Sequence, residues 1–207
     1  LLPLLGANLV GCSDNSSNAV SQVDSVPASF GHGVASGDPL EDRVILWTRV
    51  TPERAGKVLV DWEIASDAGF TDVVNSGSGV TDAEVDYTLK VDADGLAPGS
   101  TYYYRFRTGD NISPLGRTRT LPAGALATAS FAVVSCSNYP AGYFHVYREV
   151  AGQELDAVLH LGDYIYEYAS DGYASDQAQA LGRTSIPANE LLVLDDYRAR
   201  YGQYRTD

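Results

Sequence analysis

The chain has 207 residues, enough for one large domain or two of about 100 residues each, and 44% of them are hydrophobic, an ordinary share for a chain that folds in water. Its 27 acidic and 14 basic side chains leave a formal charge of -13. That excludes a broad phosphate-backbone footprint, because nonspecific nucleic-acid binding rests on clustered Lys and Arg that release counterions. A small anionic substrate would need local positive charge, and a bound metal is the simplest source of it on so acidic a surface.

Residues 1–11, LLPLLGANLVG, are apolar but too short to span a bilayer, which takes about 20 residues, and they read as the tail of an export signal. The chain contains no methionine, so its start is expected upstream. Leu9-Val10-Gly11-Cys12 resembles the lipobox of bacterial lipoproteins, in which cleavage before Cys12 leaves that cysteine acylated and anchored in a membrane; two or more acyl chains suffice for stable anchoring. An ordinary cleaved leader, with Cys12 incidental, is the alternative. The Ser- and Asn-rich stretch 13–29 follows as a polar tether with nothing to bury. Cys12 and Cys136 are the two cysteines, and their surroundings differ so much that they are read as separate cases rather than as a disulfide framework.

From 43 to about 121 the hydrophobic period is two. Val58, Val60, Trp62 and Ile64 alternate with Leu59, Asp61 and Glu63; Tyr87, Leu89 and Val91 alternate with Thr88, Lys90 and Asp92; Tyr102, Tyr104 and Phe106 alternate with Tyr103, Arg105 and Arg107. These segments predict half-buried antiparallel strands of a small β-sandwich, with Trp47 supplying much of the core. LAPGSTY at 96–102 resembles the Leu-x-Pro-Gly-Thr-x-Tyr signature of fibronectin type III domains, with Ser100 in place of Thr. Tyr102 is then the corner tyrosine whose hydroxyl bonds upstream backbone.

After residue 130 the texture changes. FAVVS at 131–135 is a continuous apolar run, as in a strand buried on both faces. Pro140 and Gly142 open a helical stretch in which Tyr143, Val146, Tyr147 and Val150 recur at helical spacing, and AVLHLG at 157–162 is a second buried run. This is a βαβ pattern, whose right-handed crossover sets its two strands parallel. Asp195 is the expected N-cap of a last helix with Tyr197, Tyr201 and Tyr204 on one face. Two parallel strands cannot cover both of their faces, so this second domain is expected to be incomplete in the chain.

Functional side chains in such sheets gather at the carboxyl ends of the strands. Cys136 and Asp163 stand at those ends, and Tyr166 follows three residues after the aspartate. A carboxylate and a phenolate converging there offer oxygen ligands that suit a hard trivalent ion such as ferric iron, and the Cys136 thiol could reach the same point, since a metal deprotonates a coordinating thiol. The bland alternatives are an Asp that caps or turns the chain, a Tyr that packs, and a buried Cys that acts as a small hydrophobe. Tyr164 and Tyr168 are read as packing residues. His32, His145 and His160 are not read as ligands, and DGYASD at 171–176 lacks the glutamate and spacing of a calcium loop.

FGHGVASGDPLEDRVILWTRVTP (30–52), GRTRTLP (116–122), FAVVSCSNYPAGYFHVYREV (131–150) and LDAVLHLGDYIYEY (155–168) resemble the alkaline phosphatase D family, which includes enzymes described as phospholipase D. GDYIY is also similar to the Gly-Asp-x-x-Tyr motif of purple acid phosphatases. The resemblance implies a fibronectin III/Ig-like β-sandwich over 30–122, after a truncated lipoprotein-type signal and tether over 1–29. The first part of an α/β metallophosphoesterase domain follows over 130–207. It implies phosphomonoester or phosphodiester hydrolysis by metal-activated water, with ferric iron (Fe3+) and calcium (Ca2+) as metals. Asp163 would be the bridging ligand, with Tyr166 and Cys136 as iron ligands. Asn138 is a candidate phosphate contact, with a turn or cap role as its alternative.

Such a site needs roughly six or more protein ligands, and the family's others are expected beyond Asp207. The chain is therefore read as an amino-terminal part, inactive by itself. An exported monomer, periplasmic or at the cell surface and held to a membrane through Cys12, is expected, with a phosphate ester as substrate and no docked nucleic acid. Phospholipase D activity on the same scaffold is one alternative. A non-enzymatic surface-anchored binding lipoprotein that works through its sandwich is another.

Overall fold

The structure, a computed structural model, describes residues 23–207; Cys12 and its lipobox lie outside them. Ten strands come first: β1 (Ala28–Ser29), β2 (Val34–Gly37), β3 (Val44–Arg49), β4 (Thr51–Pro52), β5 (Val58–Ala65), β6 (Val73–Thr81), β7 (Thr88–Ala93), β8 (Thr101–Thr108), β9 (Asn111–Ile112) and β10 (Gly116–Arg119). All their pairings are antiparallel. One sheet runs β2-β3-β7, a second β10-β8-β5-β6 with β9 alongside β8, and β1 pairs with β4 as a separate two-stranded ribbon. Alternation sends Val44, Leu46, Val58, Val60, Ile64 and Phe106 into one shared core, where each is at most 1% exposed. The bulge at Ile64 and Ala65 explains why both are buried in succession.

Trp47 does not supply that core. Val44 and Leu46 point inward from β3, so period two turns Trp47 outward, where it is half-buried beneath the Arg205 guanidinium, 5.8 Å from the ring centre. The tryptophan that packs against the core is Trp62. Tyr102 is the corner residue expected: its hydroxyl accepts a hydrogen bond from the Ala97 N–H at 2.8 Å.

Beyond residue 130, β11 (Phe131–Val134) and β12 (Ala157–His160) pair in parallel, joined through helix α1 (His145–Ala151). A 3-10 turn over Tyr139–Ala141 precedes α1. These strands are not buried on both faces as their apolar runs suggest: Phe131 is 54% exposed, Val133 59% and Val158 51%. The pair has too few strands to cover itself, although Tyr147 of α1 reaches His160 at the end of β12.

Helix α2 (Leu194–Tyr204) begins before Asp195, and Val193 holds the N-cap position. Asp196 supplies the capping oxygen instead, accepting from the N–H groups of Leu192 and Val193 at 3.1 and 3.3 Å. Its buried side chains are Arg200 and Tyr204, whereas Tyr197 is exposed. The sandwich meets the later elements through several contacts, among them the ion pair of Asp86 with Arg198 of α2 at 2.5 Å. Arg117 and Arg119 of β10 pair with Glu154 and Asp156 at 2.7 and 2.8 Å. At the far end of α2, Arg205 donates to the His32 carbonyl at 2.8 and 3.1 Å.

Candidate functional site

β11 and β12 deliver Cys136 and Asp163 to one place, and their backbone pairing continues past the strands to hold them there. The Cys136 N–H donates to the Gly162 carbonyl at 3.1 Å, and the Ser137 N–H to the Asp163 carbonyl at 2.9 Å. Cys136 and Asp163 both adopt left-handed backbone, with φ of 61° and 51°. Such conformations cost non-glycine residues about 1–3 kcal/mol each and gather at functional sites. Gly162, at φ 120°, makes the reversal that a Cβ would hinder.

The three side chains meet on one oxygen. Asp163 Oδ2 accepts from Cys136 Sγ at 3.6 Å and from the Tyr166 hydroxyl at 3.3 Å. Partial burial pushes the Tyr166 phenol well above its ordinary value, and the hydrogen bond with Cys136 and the Asp163 charge push it the same way. Three acidic groups so close repel one another once ionised, and a cation among them removes that repulsion by displacing their protons.

The separations of Asp163 Oδ2 from the Tyr166 hydroxyl and from Cys136 Sγ, 3.3 and 3.6 Å, lie at and slightly beyond the spacing of donors that share one ion. Ligands about 2.1 Å from a shared metal lie about 3–3.4 Å from each other in octahedral or tetrahedral arrangement. Among the described residues no three His, Cys, Asp or Glu side chains cluster around a metal position, so the trio depends on the Tyr166 phenol for its third donor.

Asn138 lies two residues past Cys136, but its side chain is turned inward. Both amide atoms are buried, and neither has a hydrogen-bond partner. Behind the trio stands a hydrogen-bond network that spacing did not signal. The Gly162 N–H donates to His160 Nδ1 at 3.3 Å, which leaves Nε2 facing the other members of the network. That nitrogen lies 3.0 Å from Ser137 Oγ and 3.2 Å from the Tyr147 hydroxyl, which also bond each other. His160 thus braces the base of the site and does not enter the trio.

Tyr166, Tyr168 and Tyr173 stack beside the site with ring centres 5.8–6.1 Å apart, so Tyr168 packs against Tyr166. Tyr164 turns the other way and accepts from Arg205 Nη1 at 3.0 Å. A cleft of about 810 Å3 runs between sandwich and βαβ region past His32, His160 and Tyr204. A cleft of about 470 Å3 opens on Cys136 and Asn138. The second is the one that meets the chemistry, because it contains a donor of the trio.

Comparison with known proteins gives concordant matches. The description "PhoD-like phosphatase, N-terminal domain" fits residues 15–122, and "PhoD-like phosphatase" fits residues 131–207. Alkaline phosphatase D of Bacillus subtilis (strain 168) is 43% identical over 199 residues, a stretch covering 92% of this chain and 33% of that protein. A solved structure described as "Structure of PhoD" superimposes with a TM-score of 0.79 at 43% identity, covering 89% of this chain and 36% of that one. The chain therefore spans about a third of the length of these relatives.

Proposed function

The chain belongs to the PhoD-like phosphatase family, and from that premise we propose that the protein is a metal-dependent phosphate ester hydrolase with its reaction centre at the carboxyl ends of β11 and β12. The observation that carries this reading is the convergence of Cys136, Asp163 and Tyr166 on one point from two strained strand ends. Cys136, Asp163 and Tyr166 would be the residues that hold the metals, ferric iron and calcium, with Asp163 the ligand common to both. When bound, the metals polarise the phosphoryl group and lower the pKa of water to supply hydroxide.

The chain's own residues fix the geometry. The left-handed turns aim the thiol and carboxylate off the sheet, and the Tyr166 ring closes one side. Asn138 is the phosphate contact, since its unpaired amide has no hydrogen bond to give up before turning toward a phosphoryl oxygen. Residues 30–122 act as a sandwich domain beside an α/β catalytic domain that begins near residue 130. The exposed apolar faces of β11 and β12 are where further strands of that domain seat. Export, with an acylated Cys12 at the membrane, completes the reading. Among the described residues no helix is long and apolar enough to cross a membrane.

The test uses the full-length gene product with p-nitrophenyl phosphate, bis(p-nitrophenyl) phosphate and phosphatidylcholine vesicles. Chelation should abolish turnover, and iron with calcium should restore it; Asp163→Asn should lower kcat/KM at least about 100-fold. Choline release would assign the phospholipase D alternative. Full activity in Asp163→Asn would remove the carboxylate from the mechanism.

A further inference from the structure

Arg200 is the largest side chain fully buried in the structure, at 1% exposure. Among the described residues it forms no ion pair. A buried guanidinium is costly unless its donors are all met, and here backbone carbonyls alone meet them. Nη1 donates to the Tyr166 carbonyl at 2.5 Å and to the Tyr168 carbonyl at 3.2 Å. Nη2 donates to the Tyr168 carbonyl at 3.2 Å and to that of Pro187 at 2.9 Å, and Nε to that of Ile186 at 3.0 Å.

The four carbonyls belong to two irregular segments that run side by side. The Ser170 N–H donates to the Ala188 carbonyl at 2.9 Å, and the Leu191 N–H to the Glu167 carbonyl at 3.0 Å. Neither segment has a regular ladder to absorb its carbonyls, so the guanidinium fork fixes them to α2.

We infer that Arg200 is a positioning residue: by clamping the carbonyls of Tyr166 and Tyr168 to α2, it sets where the Tyr166 phenol stands over Asp163. The inference rests on the iron-ligand reading of Tyr166. A role in the fold alone would lower stability without changing the site. A positioning role also changes the phenol's overlap with the ion, and the geometry favours it because the guanidinium bonds the carbonyl of Tyr166 itself as well as that of Tyr168. Lysine keeps the charge but offers a single nitrogen in place of a planar fork, so it cannot span all four carbonyls.

Gln203 supplies the control. One turn further along α2 it accepts from the Ile186 N–H at 2.9 Å and donates to the Thr184 carbonyl at 2.8 Å. It straps the same segment without touching 166–168.

The experiment loads the full-length gene product with Fe3+ and compares wild type, Tyr166→Phe, Arg200→Lys, Arg200→Gln and Gln203→Ala. Visible absorption per bound iron, iron affinity and thermal midpoint are read on each, with amide exchange at Ser170 and Leu191 measured in the metal-free proteins. Tyr166→Phe should abolish the phenolate charge-transfer band; if the band persists, the premise about Tyr166 falls. With the premise intact, Arg200→Lys should shift the band, weaken iron binding about 10- to 100-fold and speed exchange at both amides. Gln203→Ala should lower only the midpoint. A native band and affinity in Arg200→Lys, or an equal change in Gln203→Ala, would overturn the positioning role. Failure of both Arg200 variants to fold would also overturn it, by assigning the guanidinium to the fold as a whole.

Discussion

The sandwich and the βαβ region are both built from apolar strands, yet they use them in opposite ways. In the sandwich, Leu46, Val60, Ile64 and Phe106 are fully enclosed by two facing sheets, and polar side chains such as Arg105 and Glu63, paired at 2.7 Å, stay on the outer face. In β11 and β12 the apolar side chains lie open, and the order is concentrated at the strand ends instead, in two left-handed residues and a shared carboxylate oxygen. One region is organised around its own core and the other around a point of chemistry. In the function proposed above, the sandwich supplies much of the stability and the second region supplies the reaction centre.

The sharpest way to break that contrast is to damage each core in the 207-residue chain. Phe106→Ala removes a fully buried ring and should cost about 3–5 kcal/mol, seen as a large fall in the midpoint of thermal or urea unfolding. Tyr102→Phe leaves the ring in place but deprives the Ala97 N–H of its acceptor. It should cost about 1 kcal/mol by the same measurement, and the residues beyond 130 should keep their hydrogen-exchange pattern.

A smaller effect tests the seam between the regions. His32 is buried against Arg49, whose Nη1 lies 3.1 Å from its ring, and its own carbonyl accepts from Arg205. Burial, then the Arg49 and Arg205 charges, holds the imidazole below its ordinary value. The unfolded chain therefore binds the proton more readily. Stability is complete above about pH 6.5 and is lost as pH falls through the folded-state value. Wild type should lose more of its thermal midpoint than His32→Gln on going from pH 7.5 to 5.5. Equal losses would show that His32 does not titrate at the seam.

Val133→Ala should be smallest, within about 0.5 kcal/mol, because the side chain is 59% exposed. A loss approaching that of Phe106→Ala would erase the difference between the two regions.

The sandwich was legible in the sequence because antiparallel strands with one wet face alternate, and the alternation at 58–64 and 102–106 marks the inward side chains directly. Trp47 was misread by weighing size over parity: it is odd-numbered in a strand whose even-numbered residues face the core. The parallel pair and the nearness of Cys136 to Asp163 were legible because a βαβ unit leaves little choice of topology. The exposure of β11 and β12 was foreseeable from the strand count rather than from their composition. Arg200 was not legible. Charged residues in a helix are ordinarily solvated, and what makes this one structural is the convergence of four carbonyls from two irregular segments, which no local pattern announces. Asp196 likewise displaced Asp195 as the capping side chain, since local propensity cannot decide between adjacent aspartates.

The central claim is that Cys136, Asp163 and Tyr166 share one metal ion, and anomalous diffraction at the iron absorption edge from crystals of the full-length gene product tests it most directly. The account predicts a peak about 2.0–2.3 Å from Cys136 Sγ, an Asp163 carboxylate oxygen and the Tyr166 hydroxyl. An iron-replete crystal with no peak among these three atoms, or with the Tyr166 hydroxyl turned away from the ion, would contradict it.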